Sequence, residues 1–215
     1  MKSNLLLMTA MILLSSLATQ AQTLVGITAG SSFSNVKITS GGFSILPKMK
    51  TGITAGLVVD APLSANVHFL TGLNFVQKGY TMKEDVAKET FSINYLELPL
   101  NVVYNANGFF IGAGPSLSYA ISGMDKIHFS DGSVEDEKEK IEFGSNEEQI
   151  KPFDFGANFT AGYKTKSGFL ITGNYTMGLS NMSNSGLDVP DEKTKIKNNC
   201  FGIKIGFMFG NSHKK

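Results

Sequence analysis

Along most of the chain, apolar and polar residues alternate one for one, the period of a β-strand whose two faces meet different surroundings. Eight stretches carry the pattern, at 24–34, 51–60, 66–80, 91–104, 108–120, 153–164, 168–180 and 198–209. The last is the cleanest. Phe201, Ile203, Ile205, Phe207 and Phe209 share one face, and Cys200, Gly202, Lys204, Gly206 and Met208 share the other. Each stretch has about the 9–11 residues that a tilted strand needs to cross a bilayer, or slightly more.

The connections alternate too. Long ones follow the first, third, fifth and seventh stretches, at 35–50, 81–90, 121–152 and 181–197. Short turns follow the others: Ala61–Ala65, Asn105–Asn107 and Thr165–Ser167. This asymmetry predicts an all-β fold, an eight-stranded antiparallel up-and-down transmembrane β-barrel with short periplasmic turns and long extracellular loops. Both chain ends then fall on the periplasmic side.

Alternation by itself does not choose the outer face, because a soluble lipocalin-like barrel is also eight-stranded and points its apolar side inward. Charge and glycine placement decide it. The 19 basic and 18 acidic residues lie mostly between the strands. Asp60, Lys78, Glu97, Asp154 and Lys204 stand within them, on the polar face. That face also carries twelve glycines, Gly30, Gly114 and Gly202 among them. Glycine on a water-facing strand weakens it for no gain, whereas inside a narrow barrel it leaves room for long side chains. The apolar face therefore meets lipid. Tyr104, Phe109, Tyr163, Phe169 and Phe209 near the short turns, and Phe33, Phe75, Tyr119, Phe153 and Phe201 toward the long loops, form two aromatic girdles. The five lumen charges are expected to be structural, since buried charges pair. Lys204 is the expected partner of Glu97 or Asp154, plugging the barrel.

Two features resist the pattern. Phe91 and Ile93 fall out of phase with Leu96, Leu98, Leu100 and Val102, which suggests a bulge or a rim above the membrane. Pro99 and Pro115 sit in strands where each forfeits a ladder hydrogen bond, with no reason visible in the sequence.

Residues 1–21 read as a cleaved signal peptide: Lys2, an apolar run from Leu5 to Leu14, then Thr19-Gln20-Ala21 as a small-residue cleavage site. The barrel domain is expected over 22–210 and a short polar tail over 211–215. No later stretch is apolar enough for a membrane helix. The formal charge of +1 gives no basis for nucleic-acid binding.

Cys200 is the single cysteine, which excludes an internal disulfide and a CxxC metal or redox site. His68, His128 and His213 show no metal-ligand spacing, and His68 reads as a structural, hydrogen-bonded lumen residue. Gly112–Ser116 lies in a strand with no helix after it, so it is not a phosphate loop. The 121–152 connection is strongly acidic, with Asp125, Glu135, Glu137, Glu139 and Glu142, and reads as a solvated loop without calcium-loop spacing. The expectation is no catalytic, cofactor or metal site, and no enzyme.

The chain also resembles a known family. Gly26–Asn35, the Ile93-Asn94-Tyr95-Leu96-Glu97-Leu98-Pro99-Leu100 segment, Gly178–Asn181 and the closing Phe201–Phe209 strand are similar to small outer-membrane barrels of the Bacteroidota. These are the "porin family" or outer membrane protein beta-barrel domain type, related to PorT. The resemblance implies a Gram-negative outer-membrane location. It also implies outer-membrane lipid and lipopolysaccharide as surroundings, and barrel-assembly machinery as a transient partner, which would have to tolerate the six residues after Phe209. A monomer is expected. The role expected is structural or interactive, through the extracellular loops and not as an open porin, because eight strands leave an interior that side chains fill. Alternatives are an accessory factor in secretion or envelope assembly, as in PorT-like members, or a small-molecule or lipid-binding barrel.

Overall fold

The alternating stretches hydrogen-bond into one antiparallel sheet that closes on itself. The computed structural model describes residues 23–40, 43–83, 87–129, 136–146, 149–184 and 195–210. The expected signal peptide, residues 1–21, and the tail with His213 lie outside them. The strands are β1 Leu24–Ser40, β2 Phe43–Ile45, β3 Lys48–Pro62, β4 Val67–Lys83, β5 Ala87–Ala106, β6 Phe109–Phe129, β7 Glu137–Lys140, β8 Phe153–Lys164, β9 Phe169–Gly178 and β10 Lys195–Phe209. Eight long strands follow one another round the ring, and β10 pairs with β1 from Val25↔Phe209 to Thr39↔Lys195, so no barrel strand is left as an edge. The short β2 and β7 add to β1 and β6 outside the ring.

The even-numbered faces of β1 and β3 are buried in the interior and the odd ones are exposed, with Phe153 at 70% and Ile111 at 66% among the exposed apolar side chains. A continuous apolar exterior of this extent is not found on a water-soluble monomer and is the surface of a protein solvated by lipid. Ring pairs Phe109–Tyr163 at 4.4 Å and Phe169–Phe207 at 6.1 Å mark the short-turn end. Tyr119–Phe153 at 4.9 Å and Phe33–Phe201 at 6.4 Å mark the other.

Several expectations need correction. The strands run well beyond the predicted long-loop boundaries, to Ser40, Lys83 and Phe129, because their outer ends pair in water, where polar residues occupy both faces and hydropathy carries no signal. Phe91 and Ile93 are out of phase with the lipid-facing Leu96, Leu98 and Val102, but no slip in their own strand causes it. They point inward with Tyr95 and Glu97, and the irregularity lies on β6, where Ile121 is an extra residue between Ala120↔Tyr95 and Ser122↔Asn94. Pro99 is accommodated by a gap: the β4–β5 ladder stops at Thr71↔Leu100 and resumes at Asn74↔Glu97, and the Thr71 hydroxyl donates to the Pro99 carbonyl at 2.7 Å. The β5–β6 ladder likewise skips the residue opposite Leu100, which is Pro115, and keeps its register.

The glycines act differently from the expectation as well. A Cβ on Gly30 would lie 1.9 Å from the Ile203 carbonyl oxygen, and one on Gly114 would lie 1.9 Å from that of Leu100. What they admit is chiefly the backbone of the neighbouring strand, drawn close by the curvature of an eight-stranded barrel. Gly202, facing the Asn174 amide at 2.7 Å, is the kind of site expected from sequence.

Candidate functional site: the sealed lumen

Polar and apolar layers alternate up the interior. At the periplasmic end Val58, Val103, Phe110, Leu170 and Met208 pack together, with Leu24 and Leu70 against them. Below this apolar layer Asp60 on β3 meets His68 Nδ1 at 2.6 Å and the Lys164 ammonium of β8. β3 and β8 stand opposite each other in the ring, so the Asp60–Lys164 contact crosses the whole mouth.

At mid-height lies a polar cavity of about 40 Å³, lined among others by Thr28, Asn74, Glu97, Asn101, Thr172, Asn174 and Lys204. It is too small for a lipid chain, and by volume it suits about three waters. Thr28, Asn101, Thr172 and Asn174 each present a buried oxygen with no protein partner.

Above the cavity sits the ion cluster. Lys78, 1% exposed, places Nζ 2.7 Å from Glu97 Oε2 and 3.9 Å from Asp154 Oδ2. It also donates to the Ser118 hydroxyl at 3.2 Å and lies 5.1 Å from the centre of the Tyr95 ring. Ser118 donates to Glu97, while Asp154 accepts from Ser180 at 2.6 Å and Asn198 at 3.0 Å. Asn198 also donates to the Tyr95 hydroxyl at 3.3 Å, joining strands β10 and β5 from opposite sides of the ring. A hydrophobic cap covers this cluster: Ile93, Tyr95, Ala120 and Met182, with Phe91, Ile141, Phe143, Ile150 and Ile196 packed on it. Part of the predicted acidic loop therefore turns inward, and Lys151 N donates to Met182 O to tie it to the β9–β10 connection.

The structure thus brings Lys78, Glu97 and Asp154 together and places Asp60 apart at the periplasmic end. Lys204 does not pair with Glu97 or Asp154. It lies below the cluster and donates to Asn74 Oδ1 at 3.3 Å, because Lys78 reaches both carboxylates first. The sequence reading missed Lys164, which shares the phase of Asp154 and could have been found by it. It also missed Tyr95, two residues before Glu97 on the same face. Asn198, Ser118 and Ser180 carry no sequence signal that separates them from other small polar residues. Among the described residues, no three His, Cys, Asp or Glu side chains are grouped to hold a metal ion.

A closed, side-chain-filled barrel with an apolar exterior defines an integral membrane protein of the outer-membrane type. Residues 20–184 match the outer membrane protein beta-barrel domain, and the chain belongs to that family, which places it in the Gram-negative outer membrane. Solved structures similar to it include Ail, the attachment invasion locus protein of Yersinia pestis, with 13% identity, a TM-score of 0.47, and 87% of this chain and 99% of that one covered. Neisserial surface protein A shows 9% identity, a TM-score of 0.45 and coverage of 86% and 97%. The outer membrane protease OmpT from Escherichia coli shows 10% identity, a TM-score of 0.40 and coverage of 90% and 98%. No curated protein matches the sequence.

Proposed function

We propose that this chain is an exported, non-catalytic outer-membrane barrel that works through its extracellular rim and not by conducting solutes. One observation carries the reading: ion pairs and hydrogen bonds among Lys78, Glu97, Asp154, Asn198 and Tyr95 form a continuous polar bar across the lumen, with an apolar layer beneath it. An ion crossing the barrel would have to break the bar and then pass the apolar layer, where no polar group replaces its hydration. Planar-bilayer recording of the refolded mature chain tests this; conductance comparable to an open pore would overturn it.

A second reading, an accessory role in secretion or envelope assembly, gains support from one feature. The Tyr95-Leu96-Glu97-Leu98-Pro99 segment that resembles PorT-type members supplies two residues of the bar, Tyr95 and Glu97. Deleting the gene and assaying exported proteins discriminates the two. A lipid-binding lumen is disfavoured by the mid-barrel cavity of about 40 Å³. Export through residues 1–21 is part of the proposal, and N-terminal sequencing of the mature protein at Gln22 checks it.

A further inference from the structure

Above the membrane, charge is sorted by strand face. Outside the barrel, the face that begins with lipid-exposed residues grades upward along each strand pair. On β1 and β10 the opposed pairs run Phe33↔Phe201, Asn35↔Asn199, Lys37↔Lys197. On β4 and β5 the face passes from Phe75↔Leu96 through Gln77↔Asn94 to Thr81↔Thr90 and Lys83↔Lys88. On β6 it continues through Ser122 to Lys126, which opposes Lys138 of β7. Gln77, Asn94 and Ser122 are hydrogen-bonded side chain to side chain at 3.2 Å and 2.9 Å, and the Lys50 ammonium donates to Gln77 Oε1 at 3.0 Å, so a polar belt that already holds one amine lies between the apolar band and the lysine pairs.

The reverse face of the same extensions is acidic. Glu89, Asp125, Glu137 and Glu139 share the phase of Phe91 and point over the barrel mouth. The chain's nearly balanced total charge therefore conceals an outer collar of amines and an inner ring of carboxylates.

Three directly opposed Lys–Lys pairs are a cost to the sheet, since like charges face to face destabilise it. None of the six lysines has a carboxylate within 4.0 Å among the described residues, and Asp136, close to this face, is held by His128 at 2.7 Å. Lys37 stands four residues beyond Phe33, about 13 Å along the strand, and Lys83 stands farther out still. The collar thus covers a layer thicker than a phospholipid headgroup. We infer that it is a docking surface for the phosphorylated saccharide of outer-leaflet lipopolysaccharide, whose phosphates complement the charge of the opposed lysine pairs. The inference rests on the outer-membrane location and is independent of whether the lumen conducts.

The full mature chain, refolded in nonionic detergent, is titrated with rough lipopolysaccharide and with the same material dephosphorylated; bound glycolipid per barrel is read by native mass spectrometry. Each amine contributes about fivefold near an anionic surface, so Lys37→Gln/Lys197→Gln and Lys83→Gln/Lys88→Gln should each weaken binding by roughly 25-fold. Both should keep heat-modifiable gel mobility, which shows that the barrel is folded. Lys166→Gln, on a periplasmic turn, and Glu137→Gln/Glu139→Gln, on the inner face, should leave binding of the phosphorylated form undiminished. Equal binding of dephosphorylated material, equal loss in Lys166→Gln, or no loss in either lysine double variant would overturn the proposal. So would dextran sulfate competing as well as lipopolysaccharide, which would assign the collar to a soluble polyanion.

Discussion

Lys78→Met is the sharpest test of what holds the lumen together. The ammonium is the centre of the ion cluster, 2.7 Å from Glu97 and 3.9 Å from Asp154. Without it the two carboxylates do not fare alike. Asp154 keeps hydrogen bonds from Ser180 and Asn198, whereas Glu97 keeps only Ser118. The cost is therefore dominated by one stranded carboxylate, which sets it at about 3–4 kcal/mol, toward the lower part of the range for breaking a buried pair. Replacing both partners, as Lys78→Met/Glu97→Gln, removes the stranded charge and should cost only about 1 kcal/mol. The comparison of single and double variants then gives a coupling of about 2 kcal/mol or more. Urea titrations of the barrel in lipid vesicles, with folded and unfolded forms separated by gel mobility, measure both. If Lys78→Met stays within about 0.5 kcal/mol of wild type, or if the coupling is zero, the cluster does not seal the barrel as described. Lys204→Met serves as internal contrast: it loses one hydrogen bond to an amide and should cost only about 1 kcal/mol.

Other outcomes follow from the same geometry. Gly30→Ala should destabilise the barrel by about 1–3 kcal/mol or prevent its assembly, because the new Cβ meets the Ile203 carbonyl at 1.9 Å. Gly173→Ala should be tolerated, its nearest neighbour being a Phe201 ring carbon at 4.0 Å, and refolding yield separates the two. Cys200, the single thiol and only 3% exposed, should resist a polyethylene-glycol maleimide in the folded barrel and react once it unfolds. Rapid labelling of the native protein would mean an open lumen. Asp60→Asn removes the charge shared by His68 and Lys164 and should lower stability by about 1.5–3 kcal/mol in the urea assay, with the Asp60→Asn/Lys164→Met pair costing less than the sum of the singles.

The sequence by itself determined the strand number, the direction of the apolar face and the alternation of short and long connections. Each rests on side-chain period and local turn chemistry, which adjacent residues carry between them. It also marked Asp60, Lys78, Glu97, Asp154 and Lys204 as inward groups, because phase alone says which way a side chain points. What phase does not give is height and rotation around the ring. Lys78 and Lys204 look equivalent along the chain, yet the stagger of the closed sheet sets one beside Glu97 and the other beside Asn74. The same stagger carries Asp60 across to Lys164 and Tyr95 across to Asn198. Beyond the membrane, water lies on both sides of the strands, so no hydrophobic period marks them. Only the tertiary pairing there decided that the lysines face outward and the carboxylates inward, and that Phe91 and Ile93 close the lumen instead of slipping out of it.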